Sequence, residues 1–368
     1  MSRFWSGTRN EGGRRYILGE LIDTEILLDE PFGPIQIVCD IDKTYIETKF
    51  ESAMSMIKIA FEQADEKVTV MGAALALLAA RWGNFYQPAP STTWEPRPLH
   101  FLSASPPQLR KVIRDRLAKD GLDWTSDTFK NQAYNIKMGR LKLLKHHVAY
   151  KTATILAHMS VAPEGTRFIL IGDNAELDAY IYAGVQMFLD GTLSLKAYRH
   201  YLSGGGVDNE VLATLNPYLE EKFDNVRVGG ILIRKAPGYT SIEARPLTDL
   251  VIPFDHYFEV VLHFFAWGMI PGEALWPLCR QLHNEYGFQR EELVACLKAG
   301  IRYFEKEGRP VESLRQTLNQ LLRSVPLMDW PERPHLTPGY RLEKLPLKER
   351  EILDTAEAWV KAVALSKE

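Results

Sequence analysis

Apolar residues along the first two thirds of the chain fall into two patterns. Four short runs are continuously apolar or nearly so: Ile35–Cys39, Leu99–Leu102, Phe168–Ile171 and Val226–Arg234. Runs of this length, bounded by Pro, Gly or polar residues, predict buried strands. Between them the apolar positions keep helical spacing. Phe50, Met54, Ile57, Ala60, Phe61 and Ala64 predict one helix, and Met71–Trp82, apolar nearly all round, predicts a buried second one. Pro106 and Pro107 suit the first turn of a helix that continues through Leu109–Leu117. Lys151 opens a helix whose Ile155, Leu156 and Met159 share one face, and Ala179–Leu189 predicts another. Leu193–Phe223 reads as helical segments broken by Gly204-Gly205-Gly206, whereas Leu122–Leu144 follows no clear period. Strands alternating with helices predict an α/β fold with a three-layer, Rossmann-like, mostly parallel sheet.

Beyond about Asp249 the pattern is helical throughout. Phe254–Met269, Gly272–Tyr286, Arg290–Glu307 and Val311–Ser324 are separated by Pro or Gly, and Glu349–Ser366 follows a proline-rich linker. The expected division is a flexible tail at residues 1–15, an α/β domain at 16–248 and an all-helical extension at 249–368. The α/β domain opens on a short strand or irregular lead-in at Tyr16–Leu28. It carries a small helical insert, a cap, at about residues 48–98.

Composition narrows the class. Of 368 residues, 46% are hydrophobic and 25% charged, as in an ordinary globular protein. A formal net charge of -3 gives no reason to expect nucleic-acid binding. Cys39, Cys279 and Cys296 are too scattered for a disulfide framework or a paired-cysteine metal site, which fits a reducing compartment. The polar start, Met1–Arg15, lacks the apolar centre of a secretory signal, and Val68–Trp82 is too short to span a bilayer. The expectation is a cytoplasmic protein, with contact at a membrane surface left open.

The chemistry sits at the strand ends. The first run ends in Asp40 and Asp42, spaced i, i+2, with Thr44 following. The second ends in Ser103-Ala104-Ser105, the third in Asp173 and Asp178, and Lys151 opens the helix before the third. Open parallel sheets bind ligands at these ends. The set suits phosphoryl transfer through a covalent intermediate. Asp40 can attack phosphorus. Mg2+ held by Asp40 and Asp173 offsets the repulsion between carboxylate and phosphate. Asp42, on the same side of an extended chain, can protonate the leaving oxygen and later activate water. Ser103, the backbone amides after it from Ala104 onward, and Lys151 can hold the phosphoryl oxygens.

In this order the four motifs resemble those of the haloacid dehalogenase-like phosphohydrolases: Asp40-Ile41-Asp42-Lys43-Thr44, Ser103, Lys151, and Gly172-Asp173 with Asp178. A narrower likeness is to the actin-patch-associated phosphatidate phosphatase catalytic domain. It rests on Phe168–Asp173 with Glu176, Asp178 and Ile181-Tyr182, on Ser103-Ala104-Ser105-Pro106 with Gln108-Leu109, and on Val228–Arg234. The resemblance implies that Asp40 is nucleophile and Mg2+ ligand. Asp42 is then general acid/base, with its backbone carbonyl on the metal. Thr44 supports the turn, Ser103 and Lys151 bind phosphate, and Asp173 completes the metal site with Asp178 behind it. Lys43 stands where that family usually has an aspartate.

Two weaker signals accompany these. Lys130, Lys137, Arg140, Lys142, Lys145, His146 and His147 form a basic stretch, read as a solvated face or as a strip for anionic headgroups. Phe254, Tyr257, Phe258, Phe264, Phe265 and Trp267 read as core of the helical extension, against a lipid-facing surface. The functional expectation is a Mg2+-dependent phosphatase of a phosphomonoester, with phosphatidate as the lipid candidate. A soluble phosphorylated substrate on the same core is the alternative. A non-catalytic scaffold acting through the helical C-terminal region is the reading from another class.

Overall fold

The computed structural model describes residues 8–10, 13–18, 22–28, 33–47, 68–83, 96–130, 147–223, 225–239, 247–323 and 349–365. The strands among them are Thr8–Asn10 (β1), Gly13–Leu18 (β2), Ile22–Ile26 (β3), Ile35–Asp40 (β4), Ile46–Glu47 (β5), Val68–Thr69 (β6), Leu99–Ser103 (β7), Ser126–Lys130 (β8), Arg167–Asp173 (β9), Arg227–Arg234 (β10) and Ile252–Phe254 (β11). β5 and β6 pair with each other, and the rest form one nine-stranded sheet in the order β1-β2-β3-β8-β7-β4-β9-β10-β11. From β8 to β11 the neighbours are parallel, and β3, β2 and β1 extend that sheet antiparallel.

The helices are Ala73–Trp82 (α1), Arg110–Lys119 (α2), His147–Met159 (α3), Asp178–Leu189 (α4), Leu195–Gly204 (α5), Asn209–Leu219 (α6), Tyr257–Ala266 (α7), Leu275–Asn284 (α8), Arg290–Lys306 (α9), Glu312–Leu322 (α10) and Glu349–Leu365 (α11). Alternation along each strand sends neighbouring side chains to opposite faces. Ile35, Ile37 and Cys39 of β4 share a core with α1, α2 and α7 to α10. Val38 shares the other core with α3 to α6 and α11. This is a three-layer, Rossmann-like α/β/α arrangement. Tyr257, Phe258 and Phe264 are fully buried against the first face. At roughly 1.5–3 kcal/mol for each large apolar side chain, they contribute strongly to holding α7 on β4. Among the described residues no helix is long and apolar enough to cross a membrane.

Several expectations change. The Thr8–Asn10 and Gly13–Leu18 strands pair inside the segment expected to begin as a flexible tail. β8 lies in the stretch without a period: Ser126, Asp127, Thr128 and Lys130 are polar, yet all are buried. Asp127 is neutralised there, with Arg110 Nε at 2.9 Å and Arg114 Nε at 2.7 Å. Pairing of charges, which has no periodicity, replaces an apolar pattern. The all-helical extension opens with a strand, β11, too short to show alternation. Its Pro253 is tolerated at the sheet edge, where among the described residues no further strand needs the missing N–H. Lys151 does not open its helix. α3 begins at His147, and Lys151 points inward from the second turn, fully buried. Lys130 of the basic stretch is buried rather than solvated. Phe254, Tyr257, Phe258 and Phe264 are core. The predicted helix at Phe50–Ala64, residues 131–146 of the basic stretch and the linker at 326–346 lie outside the described residues.

Candidate active site

β4 lies between β7 and β9, and the chain leaves β4 on one side and returns on the other. That reversal opens a crevice at the carboxyl ends of the parallel strands. Cys39 pairs with both Phe101 and Ile171, so the three strand ends are nearly level. They deliver Asp40, Ser103 and Asp173 to the same crevice. α3 delivers Lys151 from the layer below.

Asp40 is buried, with one carboxylate oxygen 2.8 Å from the Lys151 ammonium. Lys151 also reaches Asp178 at 2.5 Å and Glu176 at 3.1 Å. Asp178 is the first residue of α4. A negative side chain there is favoured by the helix N-terminus. Its second oxygen accepts the Asp173 amide at 3.3 Å. Gly172 is required at this point, because a Cβ there would collide with the Asp178 carboxylate.

The turn after β4 carries the other motif residues. Asp42 accepts hydrogen bonds from the Ser103 hydroxyl at 2.9 Å and the Ser105 hydroxyl at 3.1 Å. Thr44 donates to Asp173 at 3.2 Å and lies 3.5 Å from Asp40. Lys43 between them adopts φ 60°, the left-handed region. A side chain with a Cβ costs roughly 1–2 kcal/mol there. The Lys43 ammonium lies over the Tyr239 ring, 4.7 Å from its centroid.

The electrostatics follow from crowding. Burial, opposed by Lys151 and reinforced by Asp178, Glu176 and Asp173, holds the Asp40 carboxyl well above the usual carboxylate range. Burial, then Asp178 and Glu176, push Asp173 up to about 7, against Lys151 and the Ala175 amide. Burial would lower the Lys151 ammonium, but Asp178, Asp40 and Glu176 outweigh it and raise its pKa well above the usual lysine value. Asp40, Asp173 and Asp178 each offer a carboxylate oxygen within 4.8 Å of the others, all buried. Three carboxylates against the one ammonium leave an excess of negative charge out of water. A hard divalent cation with oxygen ligands suits that donor set.

This geometry predicts a pH-dependent response to metal. The Asp173 pKa of about 7 exceeds its unfolded value, so the folded chain retains a proton that the unfolded chain has lost. Between roughly pH 4 and 7 this group's contribution to stability therefore falls as pH rises. A cation that binds ionised carboxylates works in the opposite direction. The rise in melting temperature on adding Mg2+ should be small at pH 5, grow to pH 7 and level off. A shift of constant size from pH 5 to 8 would show that the carboxylates are already ionised.

The structure brings all the residues singled out from the sequence, Asp40, Asp42, Thr44, Ser103, Ala104, Lys151, Asp173 and Asp178, to one crevice or its wall. Asp42 differs from the other acids: its side chain is engaged by serines and stands outside the carboxylate cluster. Sequence reasoning missed four participants. Ser105 is visible as Ser-x-Ser spacing on a strand end, and Glu176 stands inside the third acidic motif. Arg234 and Tyr257 carry no local signal. Arg234 Nη1 donates to the Lys43 carbonyl at 2.5 Å, and the Tyr257 hydroxyl donates to the Thr44 carbonyl at 2.9 Å.

Residues 35–193 match the family described as phosphatidate phosphatase APP1, catalytic domain. No curated protein and no solved structure matches the chain.

Proposed function

We propose, from the match of residues 35–193 to the phosphatidate phosphatase APP1 catalytic-domain family, that this chain is a Mg2+-dependent phosphatase working through an aspartyl-phosphate on Asp40. The match over those residues supports a phosphoric monoester hydrolase with a phosphatidate phosphatase-like function. The mechanism is our reading of the site. One observation carries it: two acids on one strand end have opposite surroundings. Asp40 faces the Lys151 ammonium at 2.8 Å, while Asp42 accepts from two hydroxyls.

Contact with an ammonium favours the ionised carboxylate that a nucleophile must be. Burial, then Glu176, raise the Asp42 carboxyl, against the Ser103 and Ser105 hydrogen bonds and Lys151, which makes it a readier proton donor than an exposed aspartate. In the first step an Asp40 oxygen bonds to phosphorus as the phosphorus–oxygen bond to the alcohol breaks. Asp42 donates its proton to the departing oxygen. In the second step Asp42 takes a proton from water, and the water oxygen attacks phosphorus. Inorganic phosphate leaves and the Asp40 carboxylate is restored. Ser103, the Ala104 amide and Lys151 hold the phosphoryl oxygens. Asp40, Asp173 and Asp178 side chains, with the Asp42 carbonyl, would hold Mg2+, which neutralises charge on the phosphoryl group when bound.

The family favours phosphatidate at a membrane surface over a soluble phosphoester. The expected result is hydrolysis of phosphatidate in vesicles at a rate well above that on soluble phosphomonoesters, with flotation on anionic liposomes and loss of both activities' turnover in chelator. Faster turnover of soluble phosphoesters without flotation would favour the soluble-substrate reading. No turnover of either class, with partner capture by the full chain, would favour the scaffold.

A further inference from the structure

The turn that carries Asp42 and Thr44 is held by residues outside the segment matched to the catalytic family. Arg234, at the end of β10, stands in register beside Asp173 and reaches across to the Lys43 carbonyl. Its other terminal nitrogen pairs with Glu47, which fixes the guanidinium at both ends of the turn. Tyr257, the first residue of α7, donates its buried hydroxyl to the Thr44 carbonyl. These are the carbonyl of the left-handed Lys43 and that of the residue after it, and the Lys43 ammonium rests on Tyr239. Within the turn, the Tyr45 and Ile46 amides both donate to the Ile41 carbonyl at 2.9 Å.

We propose that Arg234 and Tyr257 are positioning residues, clamping the Asp42–Thr44 turn against the backbone strain at Lys43 and so fixing the aim of Asp42. Relaxation of Lys43 to a negative φ would rotate Asp42 relative to Thr44. Thr44 is tied to Asp173, so the relaxation would separate the proton-transferring acid from the carboxylate cluster. Strained residues persist only where their surroundings over-determine them, and here two hydrogen bonds from distant sequence supply that constraint. The clamp makes the helical C-terminal region part of the catalytic apparatus. The inference rests on the role proposed for Asp42, and its test includes a measurement that does not need activity.

The full chain is compared with Tyr257→Phe, Lys43→Gly and the double variant. Turnover of phosphatidate in vesicles and amide exchange at Tyr45 and Ile46 are followed. Tyr257→Phe removes one hydroxyl. It should lower kcat about 10-fold with KM within about 2-fold, because small misplacements of a reacting group are costly. Exchange at Tyr45 and Ile46 should quicken by a similar factor, with β4 and β9 amides unchanged. Lys43→Gly removes the strain the clamp opposes. In that background the same Tyr257→Phe change should cost less than about 3-fold in kcat. Unchanged kcat and exchange in Tyr257→Phe, an equal loss in the glycine background, or faster exchange throughout β4 and β9 would each overturn the clamp. If the wild-type chain hydrolyses no phosphoester, the proposed function fails and the local exchange pattern alone decides the clamp.

Discussion

Asp40→Asn removes turnover, by at least about 10³-fold, while the metal-free chain melts at the wild-type temperature or above it. The loss of rate follows because an amide cannot open the covalent route, and removal of a nucleophile is among the largest effects known in hydrolases. The second half of the result is less usual and more diagnostic. Asp40 is a buried carboxyl whose pKa is raised by burial and by Asp178, Glu176 and Asp173, with Lys151 opposing. Burial thus makes the charged carboxylate costly to hold in the folded chain, a cost the neutral asparagine avoids. Lys151 keeps Asp178 at 2.5 Å and Glu176 at 3.1 Å, so it is not left alone. Stability surrendered for function is characteristic of active sites. Kinetics on phosphatidate vesicles with and without Mg2+, beside thermal melts in chelator, provide the measurement. An Asp40→Asn chain with wild-type kcat would end the proposed mechanism. A variant that melts well below wild type would show that Asp40 is held for structure.

Lys151→Met carries the largest expected loss of stability, about 3–5 kcal/mol in chelator. The ammonium contacts Asp40, Asp178 and Glu176 and is fully buried. Methionine keeps most of the volume but leaves the carboxylates facing one another out of water. Breaking a buried ionic cluster by removing one partner costs more than the cluster itself contributes, because the remaining charges are uncompensated. Protonation of a carboxylate relieves part of the cost, so the deficit should narrow as pH falls toward 5. A divalent cation bound to Asp40, Asp173 and Asp178 should restore part of it at pH 7.5. Urea unfolding at the two pH values, with and without Mg2+, reads all three effects. Wild-type stability in this variant would mean that Lys151 is not the cluster's counter-charge.

The contrast between these variants shows how much of the site is legible in the chain. Asp40, Asp42, Ser103 and Asp173 each follow an apolar run whose length and composition mark a strand. A polar residue just after such a run must sit at the strand end, and parallel topology puts those ends together. The site could therefore be assembled from local pattern and motif order. Ser105 and Glu176 stood within the same motifs, but their partners are set by side-chain direction, which spacing leaves open. β8 was missed for a different reason. Its buried Asp127 is balanced by Arg110 and Arg114 from α2, and paired charges leave no hydrophobic alternation to read.

Local pattern along the chain was enough to specify the layered arrangement and the strand ends that carry Asp40, Ser103 and Asp173. Its signals act over a few residues, through periodicity of burial and the conformational preferences of Pro, Gly and branched side chains. It could not assign the hold on the catalytic turn. Arg234 meets Lys43 across 191 residues, and Tyr257 meets Thr44 across 213. Those bonds end on backbone carbonyls, which every residue possesses, so no residue type in the turn announces them. Packing of α7 onto the face of β4 brings the Tyr257 hydroxyl within reach, and the pairing of β9 with β10 does the same for Arg234. Folding joins distant segments wherever apolar faces fit, and the hydrogen bonds that aim Asp42 follow from that fit.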